Sequence, residues 1–255
     1  MSSDVLLPSE DEIRQELEPL AKELKPLAEG DDSGEPRFLF RGQTKMYPSV
    51  TAFIGRLNDK DEIGKAYRIL RRLVGQLRGQ ISRIPELLAP DADETVALMQ
   101  HYGWPTPFLD LTDSLDAAFF FATYHSNLVG SNEVPTEPAV IYAADTMLLP
   151  FGCRHVRHDD VVDPSLNLRW TLQRGHALAA TGWPNMEHVR ALDLLCLPGL
   201  KVHRFWPSAS ASKADEAKYL PPLDPVAHQL ASLVGSLAHG IGLNPLPTVL
   251  ARFPL

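Results

Sequence analysis

The stretch Gln100–Tyr124, QHYGWPTPFLDLTDSLDAAFFFATY, contains three local structural signals in succession. The segment His101–Pro107 predicts a polar and aromatic turn, because it holds a glycine and a pair of prolines. The next segment, Phe108–Thr112, has the composition of a strand, and the apolar run Leu115–Tyr124 predicts a buried helix. A turn, a strand and a helix N-terminus in direct succession favour a pocket for a polar ligand.

Polar side chains occupy defined positions in this stretch. Asp110 and Thr112 alternate with leucine, so they share one face of the predicted strand. Asp113 and Ser114 stand where a cap of the following helix is expected. Asp110 and Thr112 either line a ligand pocket or only satisfy backbone donors at a buried strand–helix junction, and both interpretations stay open.

The composition predicts an ordinary globular protein, with 255 residues of which 44% are hydrophobic and 22% are charged. The formal net charge of −8 does not favour non-specific binding of the whole molecule to nucleic acid or to an acidic membrane. Cys153 and Cys196 form no CxxC motif, which indicates a reducing compartment, with two buried thiols or a disulfide as alternatives. Met1–Glu12 lacks the order of a signal peptide, and no apolar run approaches the roughly 20 residues of a membrane span. We therefore expect a cytoplasmic protein.

The N-terminal segment predicts a helix of its own. Ser9 and Glu12 have the spacing of a capping box, and apolar residues then recur at helical spacing from Ile13 to Leu27. Pro19 should kink this helix or divide it. A polar loop over residues 29–36 follows, so we expect a helical extension over residues 1–35 and one main domain over residues 36–255.

The rest of the chain alternates irregularly between strands and helices, which predicts an α+β fold with a central mixed or antiparallel sheet flanked by helices. The predicted strands are Arg37–Gly42, Phe108–Thr112, Ala139–Ala143 and Leu200–Trp206, and the predicted helices are Asp59–Arg83, Asp93–Gln100, Leu115–Tyr124 and one from Asp224–Pro225 to near Gly240. Pro207–Lys218 is expected to be a loop.

The predicted helix Asp59–Arg83 carries basic residues on the faces that its apolar residues do not occupy. No acidic residue lies between Ile63 and Pro85. This face is a platform for phosphate or RNA, an ordinary solvated face, or one that the acidic N-terminal helix neutralises. Its basic residues are Lys65, Arg68, Arg71, Arg72, Arg78 and Arg83.

Two further polar residues lie in apolar, strand-like surroundings: Arg41 in FLFRG and Gln173 in RWTLQRG. Burying a guanidinium or an amide costs several kcal/mol unless it is paired, so both need partners. Asp110 is the expected partner of Arg41, in a ligand site or in a purely structural pair. His155 and His158 have the spacing of metal ligands, but a surface loop is the alternative and no metal site is expected.

These motifs resemble the FRG domain family, which is named for a phenylalanine–arginine–glycine motif. Phe40–Gly42 matches that motif, Gln100–Tyr124 matches the family's long HYG-x-PT and A-x-FFA segment, and RWTLQRG follows. The resemblance extends from Arg37 to Leu178, and this chain has Pro107 where the family usually has arginine.

The order of the motifs is also similar to that of the ADP-ribosyltransferase superfamily, so the resemblance implies a fold of that type. It implies NAD as a substrate and no metal ion, with Arg41, Asp110 and Gln173 as catalytic residues. Arg41 would hold the pyrophosphate or ribose, and Gln173 would stand in place of the superfamily's glutamate. The implied cofactor-binding residues are Arg41, Gly42, His101, Tyr102, Thr106, Thr112 and Ser114.

Three functions follow as expectations from the resemblance and the residues. The first is an NAD-using enzyme that transfers ADP-ribose to a macromolecule or hydrolyses NAD, as a toxin or phage-defence effector. The second is a non-catalytic FRG module that binds a nucleotide such as ADP-ribose, or a protein partner. The third is an RNA-binding or RNA-acting protein, which the net charge does not favour.

Overall fold

The fold of the chain is α+β, as expected, and it is given by a computed structural model. The structure describes residues 7–25, 34–52, 56, 60–81, 84, 87–88, 91–101, 106–125, 128–129, 134–163, 165, 168–179, 192–221, 226, 229–230 and 232. The helix predicted to open at Asp224–Pro225 begins outside these residues. Within them, no helix combines the length and the apolar composition that crossing a membrane requires.

The described residues form helices, strands and two short 3-10 turns. The helices are α1 (Glu10–Ala21), α2 (Lys60–Ile81), α3 (Ala92–His101), α4 (Leu115–Thr123), α5 (His158–Val161), α6 (Arg169–Leu172) and α7 (Lys213–Tyr219). The strands are β1 (Phe38–Gln43), β2 (Leu109–Thr112), β3 (Ala139–Asp145), β4 (Arg154–Arg157), β5 (Gly175–Ala179) and β6 (Lys201–Phe205). The 3-10 turns are Thr146–Leu148 and Leu194–Cys196.

The strands form a six-stranded sheet in the order β4-β5-β2-β1-β3-β6. Strand β1 is antiparallel to β2, with Phe40 opposite Thr112, and antiparallel to β3, with Arg41 opposite Tyr142. The pairs β3–β6 and β4–β5 are also antiparallel. The prediction that the three segments FLFRG, FLDLT and AVIYA share one sheet is confirmed. Because β3 is buried along its whole length, its sequence is a continuous apolar run rather than an alternating one.

The chain divides into two compact units, and the first comprises Met1–Val50, Leu111–Leu149 and Leu194–Leu220. Its core brings together Leu17 of α1, Phe40 of β1, Phe119 of α4 and Ile141 of β3. A Cβ atom placed on Gly42 would lie 1.8 Å from the carbonyl oxygen of Ala118, so α4 crosses β1 at a distance that only glycine allows. The predicted packing of the apolar helix against the sheet is therefore confirmed.

Helix α1 begins as its sequence predicts. Ser9 and Glu12 form a complete capping box, in which the Ser9 hydroxyl accepts from the Glu12 amide and the Glu12 carboxylate accepts from the Ser9 amide. The helix continues through Pro19 and ends at Ala21, so Pro19 does not divide it, and the alternative expectation of a kink at Pro19 stays a prediction. Proline lies close enough to the end to interrupt only the last turn, and Leu24 beyond it is exposed.

The second unit comprises Thr51–Asp110, Pro150–Asp193 and Pro221–Leu255. Its core is formed by the apolar side of α2 together with α3, β4, β5 and α6, and it includes Leu70, Leu77, Met99, Val156 and Trp170. The helical spacing of α2 predicted this buried side, and the observed helix lies within the predicted bounds. The boundary expected between residues 35 and 36 stays a prediction.

Two segments differ from their predicted secondary structure. The expected loop Pro207–Lys218 contains α7, which Ser212 and Asp215 begin with a capping box. The helix forms because Tyr219 at its end is buried beside Phe120, a tertiary contact that the polar sequence does not reveal. The segment containing His155 and His158 is not a surface loop, because His155 lies on β4 and His158 begins α5.

Candidate functional site

A short chain of hydrogen bonds holds the carboxylate of Asp110 in the second unit. The hydroxyl of Thr106 donates to the Gln100 amide oxygen at 2.5 Å, and the Gln100 amide nitrogen donates to Asp110 Oδ2 at 3.2 Å. The Thr106 hydroxyl also accepts from the backbone amide of Phe108 at 3.2 Å, which fixes its own direction. The result is a half-buried carboxylate on β2 whose orientation is set by an amide and a buried hydroxyl.

His101, the last residue of α3, lies in the core of the second unit. Its ring stacks on the indole of Trp170, with centroids 5.3 Å apart and planes inclined by 17°. Burial holds the pKa of His101 well below its usual range, and the nearby Arg169 and His158 lower that pKa further. The imidazole is therefore neutral at pH 7.

Gln173 does not lie on a strand, although its surroundings in the sequence are strand-like. Arg169–Leu172 forms α6, and Gln173 caps its C-terminus with a backbone amide that donates to the Arg169 carbonyl at 3.0 Å. Arg174 then takes a left-handed backbone conformation with φ of 48°, and β5 begins at Gly175. A Cβ on Gly175 would lie 1.9 Å from the Trp170 ring, so the glycine leaves space for that ring. The side chain of Gln173 is nevertheless buried, at 5% exposure.

Arg41 and Gly42 lie side by side on β1 in the first unit. Arg41 is half-buried near the C-terminal end of the strand, where the sequence places it. Gly42 has a packing reason to be glycine, since the backbone of α4 occupies the space of a side chain. In the FRG motif, Arg41 therefore supplies hydrogen-bond donors and Gly42 allows α4 to pack closely on β1.

Thr112 and Ser114 use their hydroxyls to begin α4. Thr112 Oγ1 accepts from the Ser114 amide at 2.9 Å, and Ser114 Oγ accepts from the Ala117 amide at 3.2 Å. Of the two expected caps, Ser114 is the one that occupies the N-cap position. The hydroxyls of Thr112 and Ser114, which the resemblance implies bind the cofactor, thus have local structural partners. Tyr102 lies outside the described residues, so its implied role stays a prediction.

Sequence reasoning missed two features of this region. Gln100 joins Thr106 to Asp110 through hydrogen bonds. The only local sequence signal for this role is its position one residue before His101 at the end of α3. His155 contacts His176 on the neighbouring strand, with Nε2 and Nδ1 2.8 Å apart. Among the described residues, no group of three or more histidine, cysteine or acidic side chains has a metal-binding arrangement.

The family model of the FRG domain matches residues 36–129. This range contains Arg41, Gly42, His101, Thr106, Asp110, Thr112 and Ser114, whereas Gln173 lies beyond it. No curated protein and no solved structure gives a significant match to the chain.

Proposed function

We propose that this chain, whose residues 36–129 match the FRG domain, is an NAD-using enzyme that transfers ADP-ribose to a macromolecular target or hydrolyses NAD. The observation that carries the proposal is the orientation of the Asp110 carboxylate. The side-chain amide nitrogen of Gln100 donates a hydrogen bond to Asp110 Oδ2 at 3.2 Å. Asp110 lies inside the matched range, on a strand rather than on a mobile surface loop.

A fixed carboxylate suits this reaction because cleavage of the nicotinamide–ribose bond develops positive charge on the sugar. Nicotinamide leaves with the bonding electron pair, and the electron-poor anomeric carbon is then attacked by water or by a nucleophile of the target. A negative group that is already oriented stabilises the developing charge without reorganising during the reaction. We assign that role to Asp110. To the neutral Gln173 amide we assign a hydrogen bond to a ribose hydroxyl.

The remaining roles follow the resemblance. Arg41 supplies a fork of donors for the NAD pyrophosphate. Thr112 and Ser114 contribute indirectly, by fixing the start of α4, because their hydroxyls already cap that helix. The resemblance also implies that His101 binds the nucleotide; its ring is neutral, 6% exposed and stacked on Trp170.

The direct test is to incubate the full chain with NAD and measure free nicotinamide. Asp110→Asn keeps the shape and removes the charge, so we expect turnover to fall by about 100-fold, in the range that loss of one electrostatic group produces. Asp116→Asn is the matched control, because Asp116 is an exposed carboxylate on α4 that forms an ion pair with Arg14. Its turnover should equal that of the wild type.

Two further substitutions separate binding from chemistry. Arg41→Ala should weaken NAD binding and turnover together, while Gln173→Ala should mainly reduce turnover. Gln173→Glu should preserve or raise turnover, because it restores a carboxylate. If Arg41 serves only a buried structural pair, Arg41→Ala will instead lower stability by about 3–5 kcal/mol, which circular dichroism and thermal melting detect.

A non-catalytic nucleotide-binding module is the second candidate. It is favoured by one observation, that the Thr112 and Ser114 hydroxyls are engaged in helix capping while Gln173 carries no charge. Such a module would gain thermal stability from ADP-ribose without releasing nicotinamide from NAD. A wild-type chain that neither releases nicotinamide nor binds NAD or ADP-ribose contradicts both candidates.

A further inference from the structure

Helix α2 exposes a cluster of positive charge that the proposed reaction does not use. Arg68, Arg71, Arg72 and Arg78 are all exposed, while the opposite side of the helix is buried in the core. None of the four forms an ion pair with a side chain that the structure describes. Within the described chain the cluster therefore has no direct ion-pair partner, although the protein as a whole carries a net charge of −8.

Two glycines lie on the same face as these arginines. Gly75 and Gly79 follow Arg68 at spacings of seven and eleven residues, which returns them to its side of the helix. A Cβ on either glycine would meet nothing within 4 Å, so no packing contact explains their lack of a side chain. Glycine is the least favourable residue in a helix interior after proline. Its presence here leaves the helix backbone accessible between the charged side chains.

The geometry points to double-stranded RNA as the partner of this face, and we propose that α2 docks on its phosphate backbone. Arginine is the side chain best suited to phosphate, and Arg68 to Arg78 span about 15 Å along the helix. The exposed face carries no aromatic residue among those described, so it lacks the platform on which unpaired bases stack.

Gln76 distinguishes RNA from DNA in this proposal. It is exposed and follows Arg72 by one helical turn. Its amide both donates and accepts, which matches the 2′-hydroxyl that duplex RNA displays in its wide minor groove. The contact is therefore expected to be insensitive to base sequence and strongly dependent on salt.

The test measures fluorescence anisotropy of a labelled 20-base-pair RNA duplex with the full chain. Four phosphate contacts give a slope of log K against log salt of about −3 to −4. The triple variant Arg68→Gln, Arg71→Gln, Arg72→Gln should bind at least tenfold more weakly. Removing three exposed charges elsewhere, with Lys22→Gln, Arg204→Gln and Lys213→Gln, should change affinity less than twofold.

A second variant tests contact rather than charge. Gly75→Leu with Gly79→Leu keeps all four arginines but fills the space between them, so affinity should fall by at least fivefold. An unchanged affinity would overturn the docking mode. The DNA duplex of the same sequence should bind at least fivefold more weakly than the RNA, and equal affinities would overturn the RNA assignment. Competition by polyglutamate as strong as that by RNA would point to an acidic protein and overturn the proposal.

Discussion

The burial of His101 makes the stability of the fold depend on pH. Its side chain is 6% exposed and stacks on Trp170, and burial lowers its pKa well below the usual 6.5 of histidine. The unfolded chain therefore gains a proton near pH 6.5 that the folded chain does not take up. The difference contributes nothing above pH 7, where both states are neutral, and it destabilises the fold as the pH falls below 6.5.

We expect the free energy of unfolding to decrease by up to about 1.4 kcal/mol for each pH unit below 6.5, as long as folded His101 stays neutral. Urea titrations between pH 7.5 and 5 measure this slope. His101→Phe keeps an aromatic ring against Trp170 and removes the titrating group, so its slope should be shallower by about that amount. The same slope in wild type and variant would contradict the assignment.

At the scale of elements, the same substitution should have opposite effects at two glycines. In Gly42→Ala the new methyl group would lie 1.8 Å from the Ala118 carbonyl oxygen, so α4 must move away from β1. We expect a loss of about 3 kcal/mol or more, as for severe overpacking. Gly75→Ala, in the exposed face of α2, meets nothing within 4 Å and should gain about 1 kcal/mol from helix propensity.

Urea unfolding of the two glycine variants beside the wild type checks both signs in one experiment. A Gly42→Ala variant as stable as the wild type would show that α4 does not need its close approach to β1. A Gly75→Ala variant less stable than the wild type would show that the glycine has a structural role in α2.

At the scale of the whole molecule, the N-terminal helix belongs to a hydrophobic core rather than standing apart from it. Ile13 and Leu17 pack with Phe38 and Phe40 of β1 in the first unit, and Leu17 is fully buried. Residues 1–35 lie outside the FRG match, yet α1 covers a strand that belongs to it. Residues outside the matched range thus stabilise the part of the fold that the matched range forms.

We expect Leu17→Ala to lower the free energy of unfolding by about 2–5 kcal/mol, because it leaves a cavity in a core that contains β1. Leu24→Ala is the matched control, since Leu24 is 55% exposed and follows the end of the same helix. Its effect should stay within about 0.5 kcal/mol. Thermal melting of both variants measures the difference, and equal effects would contradict a core role for α1.

The sequence alone determined the elements whose signals are local. The capping box at Ser9, the apolar side of α2 and the continuous apolar run of β3 all follow from spacing along the chain. The strands β1 and β2 and the apolar helix α4 could be predicted for the same reason, and with them the positions of Arg41 and Asp110 on strands.

Only the tertiary structure decided the segments whose conformation depends on distant partners. Arg169–Gly175 alternates like a strand, but it forms a helix and a tight turn that place Trp170 beside His101 and Gly175. The link from Thr106 through Gln100 to Asp110 joins side chains of a helix, a loop and a strand, and no periodicity connects them. Local patterns fix backbone conformation because they act between near neighbours, whereas burial and hydrogen-bond partners are set by residues that folding brings together.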